Sequence, residues 1–213
     1  MFTLCRPAQS AAMILVAVAV IALLPGCGDK IAPDSGFLSD YSRMEPSPYV
    51  GGALWWHSPD YDLGRYQQFM FDPVVVHFAP SDVGGSVDPA KMEELTTYFN
   101  NKLREVFSEK YQVVDEPGPG VLRCKTAITE VELGNTILNI IPQAKLTGIG
   151  LGGASCEAVG FDGQSGEMLW EFKETRKGNQ FSLKGADPLD NAKQTIDFWV
   201  ERFRTHADAA HQP

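Results

Sequence analysis

Residues 88–106 read DPAKMEELTTYFNNKLREV, and residues 121–133 read VLRCKTAITEVEL. These two stretches decide the fold class. Asp88 can accept from the free amides of a first helical turn, and Pro89 needs no amide at the first helical position. Met92, Leu95, Phe99, Leu103 and Val106 then recur every three or four residues, which predicts a helix with one apolar stripe. The second stretch changes period. Leu122, Cys124, Thr126 and Ile128 alternate with Arg123, Lys125 and Ala127, which predicts a half-buried strand. Between them Tyr111–Asp115 is strand-like and stops at Glu116-Pro117-Gly118-Pro119-Gly120, a turn that no regular element crosses.

Downstream, Ala154–Phe161 and Glu167–Thr175 are strand candidates joined as a hairpin by Asp162-Gly163-Gln164-Ser165-Gly166. Asp187-Pro188 repeats the helix-start device ahead of a second stripe, Leu189, Ala192, Ile196, Trp199, Val200 and Phe203. Upstream, the β-branched run Asp72–Phe78 reads as a buried strand, and Tyr49–Phe71 is aromatic and turn-rich without a clean period. The expectation is one α/β (α+β) domain over residues 49–207, a mixed or mostly antiparallel sheet covered by two amphipathic helices. Residues 208–213 are expected as a disordered tail.

The chain has 213 residues, with 44% hydrophobic and 21% charged, which suits one globular domain with appendages. Its net charge of -9 repels phosphate backbones, so nucleic acid is not an expected partner. Four cysteines are too few for a disulfide scaffold.

At the amino terminus Arg6 precedes the run Ala11–Leu24, which has no polar residue and falls short of the roughly 20 residues of a spanning helix. It ends in Leu24-Pro25-Gly26-Cys27, which resembles the lipobox of bacterial lipoproteins; Pro25 departs from the commoner Ala, Ser or Thr. The resemblance implies that residues 1–26 are a signal peptide and that Cys27 carries a diacylglyceryl group and an acylated amino terminus. Residues 27–48 are then the lipidated cysteine and a flexible tether, because Gly28–Ser42 is rich in Gly, Pro, Asp and Ser. By the sorting rule of that class, Gly28 rather than Asp after Cys27 implies the outer membrane with the domain facing the periplasm; the inner membrane is the alternative.

Three further stretches are similar to a family of bacterial envelope lipoproteins catalogued as domain of unknown function 3313. They are Ser35-Gly36-Phe37-Leu38; Asp72-Pro73-Val74 with the aromatics around Trp56 and Tyr66; and Ala127-Ile128-Thr129 through Cys156-Glu157-Ala158 to Asp162 and Ser165-Gly166-Glu167. The resemblance implies an envelope lipoprotein and no particular reaction.

No constellation selects a reaction or a cofactor. Gly148–Gly153 fits G-x-G-x-x-G, but strand-like sequence follows it where a dinucleotide site needs a helix. His57, His77, His206 and His211 have no metal-ligand spacing. Cys124 and Cys156 both fall in expected strands, and in an oxidising envelope they form either a cross-strand disulfide or two buried thiols. Trp55, Trp56, His57, Tyr61 and Tyr66 either cover one side of the core beneath a long loop or form the candidate binding surface, since aromatics beside Asp60 and Asp62 suit sugar rings or a partner's anchor residues. The apolar stretch Ile137–Gly153 reads as a buried strand with a Gly-rich turn, or as a second candidate surface for a membrane or partner. The expectation is a non-enzymatic binding or assembly module, held to a membrane by its lipid, with an envelope protein or peptidoglycan as partner. The alternative is a hydrolase or other enzyme acting on envelope glycans or peptides in a cleft lined by Trp56, His57 and Asp60.

Overall fold

The Asp88-Pro89 device opens the first helix as expected. In the computed structural model, which describes residues 31–48, 50–80, 88–133, 153–177, 187 and 189–212, helix α1 runs Pro89–Ser108. Asp88 Oδ1 accepts from the Ala90 amide at 3.0 Å. Met92, Leu95, Phe99, Leu103 and Val106 are all buried. Helix α2 spans Asp190–Ala210. Here Asp187 Oδ1 accepts from the Leu189 amide at 2.9 Å, so the carboxylate closes the turn before the helix and the helix starts later than the Asp-Pro pair suggests. The two helices meet through Phe99 and Trp199, whose stacked rings lie 6.1 Å apart, and through Tyr98, whose hydroxyl donates to Asp197 at 2.6 Å.

Among the described residues eight strands form one mixed sheet: β1 Glu45–Pro46, β2 Ala53–His57, β3 Gln68–Phe71, β4 Val75–Val76, β5 Gln112–Val113, β6 Val121–Glu132, β7 Gly153–Asp162 and β8 Met168–Lys177. Their order is β1-β2-β8-β7-β6-β3-β5, with β4 also on β6. The pairs from β1 to β6 are antiparallel; β3 and β4 lie parallel to β6, and β5 parallel to β3. Parallel neighbours need a crossover, and α1 supplies it between β3 and β5. Both helices cover the same face, so one cluster joins Leu95, Phe107, Ile196 and Val200 to Phe69, Leu122 and Ile128 of the sheet. This is a single α/β domain.

The β7–β8 hairpin is held by Asp162, whose Oδ1 accepts from the amides of Gln164 and Ser165 and from the Ser165 hydroxyl. The Ser165 amide above all keeps that carboxyl below its usual range. Gly160 on β7 is required by packing: a Cβ there would lie 2.2 Å from Nε1 of Trp170, whose indole rests against the strand.

Four expectations are corrected. Asp72–Phe78 is not a buried strand. Pro73 has no amide to give, the Val74 amide goes to Asn100 Oδ1 at 3.0 Å, and Val75 and Val76 remain 44% and 36% exposed. The period-less aromatic stretch before it contains two strands, β2 and β3, because pairing with β8 and β6 overrides local pattern. Strand β6 keeps the expected alternation at Arg123 and Lys125, which are half-buried, but Ala127 and Thr129 further along the strand are buried as well. Residues 208–212 are not a loose tail. The helix continues to Ala210, Asp208 holds Lys110 and Tyr111 at 2.9 Å each, and a ring nitrogen of His211 lies 3.0 Å from the Tyr66 carbonyl.

Candidate functional site

Side chains alternate across the sheet, and the face turned away from the helices carries charge. Glu157 on β7 and Glu171 and Lys173 on β8 are 0%, 0% and 1% exposed. Buried charges of this kind persist only when paired and hydrogen-bonded. The partners come from residues 32–43. Glu157 accepts from Ser35 Oγ and Tyr41 Oη at 2.7 Å each, and from the Ser35 amide at 3.3 Å. Glu171 accepts from Arg43 Nη2 at 2.7 Å and Nε at 3.0 Å, and from the amide and hydroxyl of Ser39. Lys173 Nζ lies 2.6 Å from Asp34 and 3.5 Å from Glu157. The segment expected as a flexible tether is therefore, from Ala32 to Arg43, a strap bonded across the sheet. The Ser, Asp and Tyr residues that give it a linker's composition are the groups that satisfy the buried charges.

The helix-facing side holds a cavity of about 390 Å³ beneath α2. Its origin is legible in β7, whose residues on this face are Ala154, Cys156, Ala158 and Gly160. All are small, so α2 cannot close onto the sheet. Cys124, Cys156, Ala158 and Phe172 form the floor, and Trp199, Val200 and Phe203 the roof. At the β2 side Trp55, Tyr61 and His206 line it, with Trp55 and His206 edge-to-face at 6.4 Å. Burial lowers the His206 imidazole below its ordinary 6.5, so it is neutral at pH 7. Arg202 is the charged residue of the wall. It lies 3.7 Å from the buried Glu174, which Arg176 also approaches at 3.4 Å. Burial pushes the Glu174 carboxyl up, and the two guanidinium groups oppose that rise.

The candidate surface named from sequence divides among three places. Trp55, His57 and Tyr61 cluster at the cavity's β2 side, with ring centroids 4.8 Å apart for Trp55–His57 and 5.9 Å for Trp55–Tyr61. Trp56 points to the opposite face, where Arg43 stacks on it at 3.6 Å. Tyr66 is buried and donates to Asp162 at 3.0 Å; burial first, and that carboxylate second, push its hydroxyl up to about 12. Hence the expected cleft of Trp56, His57 and Asp60 is not assembled: successive residues of β2 face opposite sides, and His57 Nδ1 is turned to the Ser58 carbonyl at 2.8 Å. Sequence reasoning placed Trp199, Val200 and Phe203 in the core stripe and did not recognise them as cavity walls.

Cys124 and Cys156 are free and buried. Register explains why they are not joined. Cys124 lies opposite Gly160, and Cys156 opposite Ile128. That offset places them about 13 Å apart along the ladder at ~3.4 Å per residue, whereas a disulfide needs Cα atoms within about 7 Å. Burial pushes both thiols well up. Cys27, residues 1–26 and residues 137–152 of the Ile137–Gly153 stretch lie outside the described residues. Among the described residues no helix is long and apolar enough to cross a membrane, and no cluster of His, Cys, Asp and Glu could hold a metal ion.

A mixed-sheet α/β domain with a strapped polar face and an apolar cavity is thus the class of protein that this fold defines. A family model described as protein of unknown function (DUF3313) matches residues 33–203, and the chain belongs to that family. The uncharacterized lipoprotein YdcL of Escherichia coli strain K12 is 29% identical over 132 residues, which cover 57% of this chain and 58% of that relative. The match thus spans little more than half the length of the relative. Among solved structures, the PelC dodecamer from Paraburkholderia phytofirmans is similar at 12% identity and a TM-score of 0.39, covering 69% of this chain and 97% of that one. Protein XCC0632 from Xanthomonas campestris is similar at 10% identity and a TM-score of 0.42, covering 72% and 90%.

Proposed function

We propose that this chain is a lipid-anchored protein of the bacterial cell envelope whose domain is a non-enzymatic binding module for an apolar group. Residues 1–26 are removed, Cys27 is acylated, and the domain faces the periplasm from the outer membrane. The lipobox-like Leu24-Pro25-Gly26-Cys27 and a family relative named as a lipoprotein support the anchor. The observation that carries the binding role is the cavity of about 390 Å³, walled by Trp55, Phe172, Trp199 and Phe203. Preformed, mostly apolar hollows of a few hundred Å³ with few polar groups are the usual form of a small-molecule site. An aliphatic chain suits it: each methylene transferred from water contributes roughly 0.8 kcal/mol, so about ten contribute roughly 8 kcal/mol before the cost of association.

The test is titration with a fluorescent fatty acid, read by quenching of Trp170 and Trp199. Wild type binds saturably near one to one. Ala158→Phe puts a ring into the hollow and weakens binding at least ten-fold while leaving the melting temperature unchanged or higher. Equal binding by both proteins overturns the proposal.

A further inference from the structure

The side chains that line the cavity are sorted along its length. Trp55 on β2, Phe172 on β8, Ala158 on β7, Cys124 on β6 and Phe71 on β3 all line it, so it crosses five neighbouring strands. Four inter-strand spacings of ~4.8 Å make that crossing about 19 Å. At the β3 end, beneath α1, the walls are Phe71, Phe99 and Leu103. Among the described residues, the polar lining gathers at the β2 end: Ser47, whose amide bonds the Ala53 carbonyl, Tyr61 packed on Trp55, and Arg202, Thr205 and His206 of α2. Thr126 on β6 is the exception. A hollow with an apolar end and a polar end suits an amphiphile better than a wholly apolar molecule.

Arg202 is the permanently charged residue among the described lining ones. It rests over the Phe198 ring at 4.2 Å, and Arg176 lies over the same ring at 3.5 Å. Stacking holds a planar guanidinium in place without using its N–H donors. Nη1 of Arg202 is buried and has no hydrogen-bond partner among the described residues. The Glu174 carboxylate stands 3.7 Å from it, beyond hydrogen-bond length, and is not a wall of the cavity. Because Arg176 approaches Glu174 as well, two guanidinium groups share one carboxylate, and the cluster keeps one net positive charge. A half-buried cation short of hydrogen bonds is costly, and an anionic oxygen brought in through the cavity relieves that cost.

We propose that the cavity takes a single-chain carboxylic acid, with its carboxylate at Arg202 and its chain running towards Phe71, Phe99 and Leu103. The proposal rests on the apolar-ligand reading above and adds the head that goes with the chain. One net positive charge matches a monoanion. A dianionic phosphate leaves a charge unbalanced, and a quaternary ammonium is repelled. Length agrees too: the C–C bonds of dodecanoate, at ~1.5 Å each, span less than about 17 Å.

The experiment uses the full chain, purified from membranes and transferred into an amphipathic polymer free of detergent. Radiolabelled dodecanoate, 1-dodecanol and dodecyltrimethylammonium are bound at about pH 8, where a carboxylic acid is ionised. Specific binding is the part that Ala158→Phe loses. Wild type is expected to hold dodecanoate roughly ten-fold or more tighter than dodecanol, because charge-assisted hydrogen bonds form with the acid alone. Dodecyltrimethylammonium is expected to bind less tightly than either. Arg202→Met keeps the apolar stem, so dodecanoate falls to the affinity of dodecanol while dodecanol changes little. Glu174→Gln removes the carboxylate that competes for Arg202, so dodecanoate tightens at least two-fold; this arm remains readable where Arg202→Met does not fold, and a purely structural Arg202 would not produce it. Dodecanol or dodecyltrimethylammonium binding wild type as tightly as dodecanoate, or no tightening in Glu174→Gln, overturns the carboxylate head alone. Failure of all three ligands to bind wild type above Ala158→Phe overturns the cavity as an apolar site, and the head with it.

Discussion

Replacing Glu157 with alanine strikes the strap at its most buried bond. The carboxylate is 0% exposed and accepts from Ser35 Oγ and Tyr41 Oη at 2.7 Å each. A hydrogen bond to a charged group contributes about 1.5–3 kcal/mol. Its loss also leaves Lys173, 1% exposed, with Asp34 at 2.6 Å as its remaining carboxylate. Removing one member of a buried ion pair costs about 3–5 kcal/mol, and these contributions overlap rather than add, so about 3–5 kcal/mol is the expected loss. Against a typical total of about 5–15 kcal/mol, that is a large fraction. Urea unfolding followed by tryptophan fluorescence reads the stability. Trypsin reads the strap itself, because Arg43 is protected by its bonds to Glu171 and becomes cleavable when the segment lifts. Glu157→Gln, which keeps the shape and one acceptor, costs less and exposes Arg43 less. A loss below about 1 kcal/mol for Glu157→Ala, with Arg43 still resistant, would refute the claim that residues 32–43 belong to the fold.

Other consequences follow from the interior. Native protein leaves Cys124 and Cys156 unmodified by iodoacetamide, since burial keeps both thiols protonated; in urea without reductant both react, whereas a disulfide would block them. His206 is held below its ordinary 6.5 by burial, so the unfolded chain binds the extra proton first. Stability therefore falls as pH drops below about 6.5, and His206→Phe flattens this slope; an unchanged slope contradicts the assignment. Gly160→Ala forces Trp170 off its strand, because the new Cβ would stand 2.2 Å from Nε1. The expected loss is about 1–3 kcal/mol, with a changed near-ultraviolet circular dichroism signal.

Local pattern made the helices, β6 and the β7–β8 hairpin readable. The Asp88-Pro89 start, the stripe from Met92 to Val106 and the turn at Asp162–Gly166 each depend on residues within a few positions of one another. The strap could not be read this way. Tyr41 meets Glu157 and Ser39 meets Glu171 across sequence separations of 116 and 132, so its polar residues look like linker until the sheet exists. The same blindness affects Glu171, Phe172, Lys173 and Glu174. Their alternation is that of a strand, but the charged residues are buried on both faces, by the strap on one side and by Arg202 of α2 on the other. The cavity left a faint trace in the small residues Ala154, Cys156, Ala158 and Gly160, which mean little until a helix is known to lie above them. The split of Trp56 from His57 needed only the assignment of β2 as a strand, which the aromatic, turn-rich sequence around it concealed.

Looking inside the hollow is the most direct examination of the binding role. Protein purified from its own membranes in mild detergent, as wild type and as Ala158→Phe, is extracted with solvent, and the released molecules are weighed and counted by mass spectrometry. About one aliphatic compound per wild-type chain, and none from the variant, is the result expected here. Equal yields from both proteins, or nothing from either, would contradict it.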